Sequence, residues 1–209
     1  AEEAGASVQE VFLPKYRIEY CRDCRACMSS GRCPVQDDFH EVRELLREAD
    51  GIILSTPTYA SAVCARMKNL ADRLGQFAWL TSTFGGKYIA GISTASSFGA
   101  DKTAGHMVAA LRDGVFRRAY VSGTLGVPLR GKQVSAMPQA LAKARALGGK
   151  IASDIRAGKR FPLQNLLGRL PNALLMRPMI RQAIVNNKET MKGVYEELVR
   201  TGVVAGSEA

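Results

Sequence analysis

The short apolar run Gly51–Ser55 (GIILS), closed off by Pro57, constrains the fold more than any other stretch of this chain. Strict alternation would mark a strand with one wet face. An uninterrupted apolar run marks a strand covered on both faces, as in a parallel sheet. Comparable short segments recur at Lys87–Ser93 (KYIAGIS) and Arg118–Ser122 (RAYVS). Helical patterns lie between them. Asp37 or Asp38 caps a helix to about Ala49, with Phe39, Val42, Leu45 and Leu46 at three-to-four spacing. Ser61 to about Leu80 carries Val63, Met67, Leu70, Leu74 and Phe77 on one stripe, with Ser61 as a candidate N-cap. Thr103–Arg112 and the alanine-rich Pro138–Ala157 complete the series. Strand and helix alternating in short units predict an α/β fold, a doubly wound parallel sheet with helices on both faces.

The two ends depart from this rhythm. Ala1–Ala6 reads as the end of a helix stopped at Gly5, and Ser7–Leu13 (SVQEVFL) as a strand halted by Pro14. In a doubly wound sheet the first strand is interior and the turn after it cradles a phosphate. The expectation is therefore that this strand and turn lie upstream of Ala1. Beyond Phe161, prolines at 162, 171 and 178 precede a helical run at Met179–Val199. The expected organisation is a domain over 1–160 with an inserted cysteine loop, then a helical extension over 161–209 that packs on a neighbour or a partner.

That loop holds four of the five cysteines: Cys21, Cys24, Cys27 and Cys33, the last followed by Pro34. Two consecutive x₂ gaps put three sulfurs on one tight curl of backbone, and a fourth on a slightly longer loop can reach round. A cubane iron–sulfur cluster asks for this, and ferredoxin-type runs share both the gaps and the Cys-Pro ending. Zinc more often uses two separated Cys-x₂-Cys pairs. Zinc, free thiols and disulfides remain alternatives to a [4Fe-4S] cluster. Arg22, Arg25 and Arg32 interleave the ligands against a single Asp23, a pattern that would stabilise a reduced, negative centre if they face it. Cys64 reads as a small buried hydrophobe, and neither His40 nor His106 belongs to a readable catalytic constellation.

The formal charge is +10, concentrated in residues 51–150, which hold 13 basic and 3 acidic residues. A basic surface attracts acidic partners without choosing among them. The chain has neither zinc-finger spacing nor a ribonucleoprotein aromatic motif, so a nucleic-acid partner is not expected. No apolar run approaches the roughly 20 residues of a membrane span. AEEAGASVQE lacks the basic start and apolar stretch of a secretory signal, and the cysteine pattern is no secreted disulfide framework. A cytoplasmic protein without a membrane partner is the expectation. The basic, amphipathic stretch Arg160–Arg181 reads as a dimer or core surface before a lipid-facing one.

Asp37-Asp38, Ala49-Asp50-Gly51, Ser55-Thr56-Pro57-Thr58-Tyr59, Lys68 and Asp72-Arg73 together resemble the NADPH-dependent FMN reductase group. With the compact cysteine run, the chain is similar to that group's iron–sulfur flavoprotein branch, over about Ala1–Gly158. The resemblance implies a flavodoxin-like fold, FMN as cofactor and homo-oligomers. It also implies a ring site on two loops: Ser55, Pro57, Thr58, Tyr59 and Ser61, then Thr94, Ala95, Ser96, Ser97 and Gly99. Physical chemistry agrees as far as it goes. Open α/β sheets bind ligands past the carboxyl ends of strands, Tyr59 offers a flat face, and small residues let backbone N–H groups approach a ring. Three readings follow. The first is an electron-transfer flavoprotein joining the cluster to FMN and served by an acidic carrier such as a ferredoxin. The second is a cluster-free NAD(P)H-dependent flavin or quinone reductase. The third is a zinc-stapled interaction module with no catalytic role.

Overall fold

The structure is a computed structural model that describes residues 1–162, 164 and 172–205. Four strands form one sheet in the order β2-β1-β3-β4: β1 (Gly51–Tyr59), β2 (Ala62–Val63), β3 (Tyr88–Ala95) and β4 (Tyr120–Pro128). β1, β3 and β4 run parallel, with Ile52 opposite Ile89 and Ile89 opposite Val121; β2 is a two-residue antiparallel return on β1. Strand β3 is covered on both faces, as its apolar run required, but β1 is not. Ile52, Leu54 and Thr56 are buried while Ile53 (41% exposed) and Ser55 face solvent, so the expectation for Gly51–Ser55 fails on one face.

Helices α1 (Ala26–Ser30), α2 (Phe39–Glu48), α3 (Ala65–Thr81), α4 (Ala100–Arg112), α5 (Pro138–Arg156), α6 (Arg177–Asn186) and α7 (Lys192–Arg200) surround the sheet. The main core packs Ile52, Leu54 and Ile89 against Phe39 and Val42 of α2, Met67, Leu70 and Leu74 of α3, and Met107, Val108 and Leu111 of α4. Leu147 and Ile151 of α5 meet Tyr88 and Ala90 in a second cluster. Helix α3 is broken at Gly75 (φ 43°, ψ −142°), a conformation that an L side chain would resist. The break lets Met67–Leu74 serve the main core while Phe77 and Leu80 join a third cluster with Val115, Ile184, Val194 and Leu198.

Four further expectations change. Ser7–Leu13 forms no strand. Val8 and Phe12 are exposed, and an extended segment without a neighbour to share its hydrogen bonds is not a strand. The edge of β1 away from β3 has no strand partner over Gly51–Pro57 among the described residues. The Met179–Val199 run is two helices, α6 and α7, separated by turns around Asn187–Met191. Their apolar residues pack on the chain's own body: Ile184, Val194 and Leu198 share a cluster with Cys27 and Met28 of the cysteine loop. Of the Arg160–Arg181 stretch, residues 163 and 165–171 lie outside the described residues. Finally, the Asp37-Asp38 pair does more than start α2. Asp38 accepts the Arg17 N–H (2.6 Å), and Asp37 accepts those of Glu19 (2.8 Å) and Phe39 (3.2 Å), so the pair fastens the segment entering the cysteine loop.

Candidate functional site

Two constellations stand at different levels of the same helix. The first is at the carboxyl ends of β1 and β3. Strand β1 runs past Ser55 to Tyr59, with Pro57 in the ladder opposite Thr94. Ala60 and Ser61 then both take positive φ (48° and 61°), closing a two-residue turn of the shape Asn-Gly usually forms. Holding non-glycine residues there costs about 1 kcal/mol each, and such strain gathers at functional sites. Ser61 is therefore a hairpin residue, four positions short of the helix it was expected to cap. Cys64 occupies the N-cap position of α3, and its N–H is held by Thr56 Oγ1 at 3.2 Å. Tyr59 is left 65% exposed at the turn.

Ser93 is the tether at this end. Its hydroxyl donates to the Thr56 carbonyl (2.8 Å), so the 2.9 Å contact with Thr58 is a bond from the Thr58 hydroxyl to Ser93. Past Ser93, Ala95 is buried, while Ser96, Ser97 and Phe98 face solvent. The Leu129 and Arg130 N–H groups donate to the Ala95 and Ser96 carbonyls, both at 2.7 Å, pinning the loop to the end of β4. A Cβ on Gly99 would lie 3.8 Å from the Thr58 methyl, so the two loops touch. Ser55, Pro57, Thr58, Tyr59 and Ser61 thus share one end of the sheet with Thr94–Ser97 and Gly99. Hydroxyls, small residues and an exposed aromatic face fit a planar heteroaromatic ring such as isoalloxazine. The sequence reading missed Ser93, whose tethering depends on strand register, and Phe98, 82% exposed where an aromatic is ordinarily buried.

The second constellation is the cysteine loop. Asp23 (φ 46°) and Arg25 (φ 55°) both turn left-handed, curling the backbone before α1. Cys21 and Cys24 are exposed, Cys27 and Cys33 are half-buried, and all four are free thiols. Burial pushes the Cys27 thiol up, and the charges of Cys33, Cys24 and Cys21 push it the same way. The interleaved arginines do not face inward. Arg22, Arg25 and Arg32 are exposed, and Arg25 meets Asp23 at 3.8 Å, an exposed pair on both sides, so water screens them.

The charge that does face the sulfurs comes from helices. Arg73 of α3 has a side chain 1% exposed; it donates to Cys33 Sγ (3.4 Å), to the Glu19 carbonyl (2.7 Å) and through both terminal nitrogens to Asp37 (2.6 and 3.1 Å). Its guanidinium lies 4.4 Å from the Phe39 ring centre, and its Nε is buried without a partner. Burial alone would raise the Asp37 carboxyl. The Arg73 bonds and charge, with the Glu19 and Phe39 N–H groups, outweigh burial and hold it below its ordinary value. Arg43 of α2 donates to the Gly31 carbonyl at 3.0 Å and sits over the Phe77 ring. Cys27, Cys33, Arg43 and Arg73 line one small cavity. Four thiols, one already hydrogen-bonded by a buried cation, fit a thiolate-ligated metal centre in their chemistry. Among the described residues no three His, Cys, Asp or Glu side chains are gathered to coordination distance, so closing such a centre asks the exposed Cys21–Cys24 half to move inward.

Helix α3 joins the two constellations, from Cys64 beside the strand ends to Arg73 beneath Cys33, roughly 14 Å of helical rise. No helix among the described residues is long and apolar enough to cross a membrane.

The profile of the family described as NADPH-dependent FMN reductase matches residues 1–130. An iron-sulfur flavoprotein of Archaeoglobus fulgidus is 29% identical over 197 residues, 93% of this chain and 84% of that protein. An iron-sulfur flavoprotein of Clostridioides difficile is 22% identical over 92% of this chain and 82% of its own. The solved structure of a flavone reductase superposes with a TM-score of 0.59 at 16% identity, covering 100% of this chain and 91% of that one, a likeness of fold.

Proposed function

The chain belongs to the family of NADPH-dependent FMN reductases, and from that premise we propose that it is an iron–sulfur flavoprotein. It relays electrons between a [4Fe-4S] cluster on Cys21, Cys24, Cys27 and Cys33 and an FMN at the carboxyl ends of β1 and β3. Family membership makes it a flavin-dependent oxidoreductase; the cluster and the relay are our reading. The observation that carries it is the pairing of Cys33 with the buried Arg73 beneath a run of four free thiols. Full-length similarity to a protein named an iron-sulfur flavoprotein adds support.

A cluster passes single electrons and a flavin accepts one or two, so together they supply the exchange between one- and two-electron chemistry. The chain's own residues bind and orient. Thr58, Ser61, Thr94, Ser96 and Ser97 offer hydroxyls to the ring edge, Tyr59 offers a face, and Ser55, Pro57, Ala95 and Gly99 keep the approach clear. The basic surface of residues 51–150 suits an acidic one-electron carrier of ferredoxin type, and a homo-oligomer is the expected assembly.

Anaerobic reconstitution tests this. The expected result is about four iron and four acid-labile sulfide per chain with one FMN, and loss of iron but not flavin in Cys33→Ser. A flavin-loaded, iron-free protein would overturn the cluster, as would bound zinc. The exposure of Cys21 and Cys24 favours a second reading, a cluster-free NAD(P)H-dependent flavin or quinone reductase. NADPH–quinone turnover unchanged by Cys24→Ser would select it.

A further inference from the structure

Arg73 lies forty residues beyond Cys33 in the chain, yet it is the cation that reaches a sulfur of the loop. It is buried, bonded to Cys33 Sγ, and it lines the same cavity as Cys27 together with Arg43. Among the described residues the carboxylate in direct contact with Arg73 is Asp37, bonded through both terminal nitrogens, one of which also serves Cys33. The three arginines inside the loop point into water. Low dielectric strengthens a buried charge or N–H···S bond that water would screen at the surface. We propose that Arg73, seconded by Arg43, is the positioning residue that sets the electron affinity of the cysteine site, and that Arg22, Arg25 and Arg32 do not.

The inference rests on the cluster reading above. Reduction delivers one electron from a one-electron reductant and adds one negative charge to the site, with no bond made or broken and no proton moved. A fixed donor to Cys33 Sγ favours the more negative state. Removing it lowers the equilibrium constant for reduction by about tenfold, which is 59 mV for a one-electron couple.

The test is an anaerobic redox titration of the reconstituted full chain, followed by electron paramagnetic resonance, with iron counted in every sample. Arg73→Met is paired with Asp37→Asn so that no buried carboxylate is left alone. The expected result is full iron and a midpoint potential lower by about 59 mV. Arg73→Lys, which keeps the charge but loses the fork, recovers part of the shift. Arg43→Gln gives a drop of about threefold in the same constant, and Arg22→Gln leaves the potential in place. Full iron with unchanged potentials in the Arg73 variants overturns the proposal. So does an equal shift in Arg22→Gln, or loss of iron from both Arg73 variants, which would make Arg73 a fastener of the loop. An iron-free wild type refutes the cluster reading itself and is recognised before any variant is compared.

Discussion

Replacing Gly193 by alanine sets a methyl carbon 1.9 Å from the Gly31 amide nitrogen, 2.6 Å from its Cα and 2.8 Å from the Ser30 carbonyl carbon. All three atoms are backbone, so no rotamer change relieves the clash, and α7 must lift from α1. Overpacking of this kind costs roughly 1–3 kcal/mol, offset by the roughly 1 kcal/mol that alanine gains over glycine inside a helix. Lifting α7 further loosens Val194 and Leu198, both fully buried, so the upper half of the range applies. A net loss of about 1–2 kcal/mol lowers the melting temperature of a chain this size by roughly 2–8 °C. Gly149→Ala in α5 is the control: a Cβ there meets nothing within 4 Å, so helix propensity alone should stabilise it by about 0.5–1 kcal/mol. The assay is thermal unfolding followed by far-ultraviolet circular dichroism, with alkylation of Cys27 as a local probe, since Cys27 lies on α1 and packs in the cluster α7 completes. Alkylation should accelerate in Gly193→Ala and not in Gly149→Ala. A Gly193→Ala melting temperature at or above wild type would refute the close helix contact.

Ser93→Ala removes the bonds to Thr56 and Thr58, and should weaken FMN binding about three- to tenfold by fluorescence titration while leaving iron content unchanged. Lys87→Met deprives the Arg47 and Ala49 carbonyls, at the C-terminal end of α2, of a charged donor at 2.7 and 2.6 Å; a loss of about 1–2 kcal/mol should appear in the urea midpoint. Asp154 gives a pH signature. Burial would raise its carboxyl, but the Lys150 bond (2.8 Å) and the Lys150 and Lys159 charges outweigh burial and hold it below its ordinary 3.8. A carboxyl lower in the folded state contributes stability present above its unfolded value and lost as pH falls through the folded one. Asp154→Asn should therefore be less stable at pH 6 and flatten the wild type's decline below about pH 4, measured by urea unfolding across pH.

Much of this was written locally. Composition and short-range pattern determined that Gly51–Ser55, Lys87–Ser93 and the segment at Tyr120 are strands, that α4 and α5 exist, and that four thiols share one curl, because these need only neighbouring residues. That β3 is covered on both faces while Ile53 and Ser55 of β1 face solvent was decided by packing. The cofactor side was legible as two loops, but the hairpin at Ala60-Ser61 was hidden behind residues that do not ordinarily take positive φ. Ser7–Leu13 shows the converse: its pattern suits a strand, yet a strand exists only where another lends it hydrogen bonds. Which charges matter was also beyond the sequence. Arg22, Arg25 and Arg32 stand among the cysteines but end in solvent, while Arg73, forty residues past Cys33, ends buried against it because α3 and α2 pack together. The spacing of residues settled what kinds of groups are available; packing alone settled which of them leave water, and only those act at full strength.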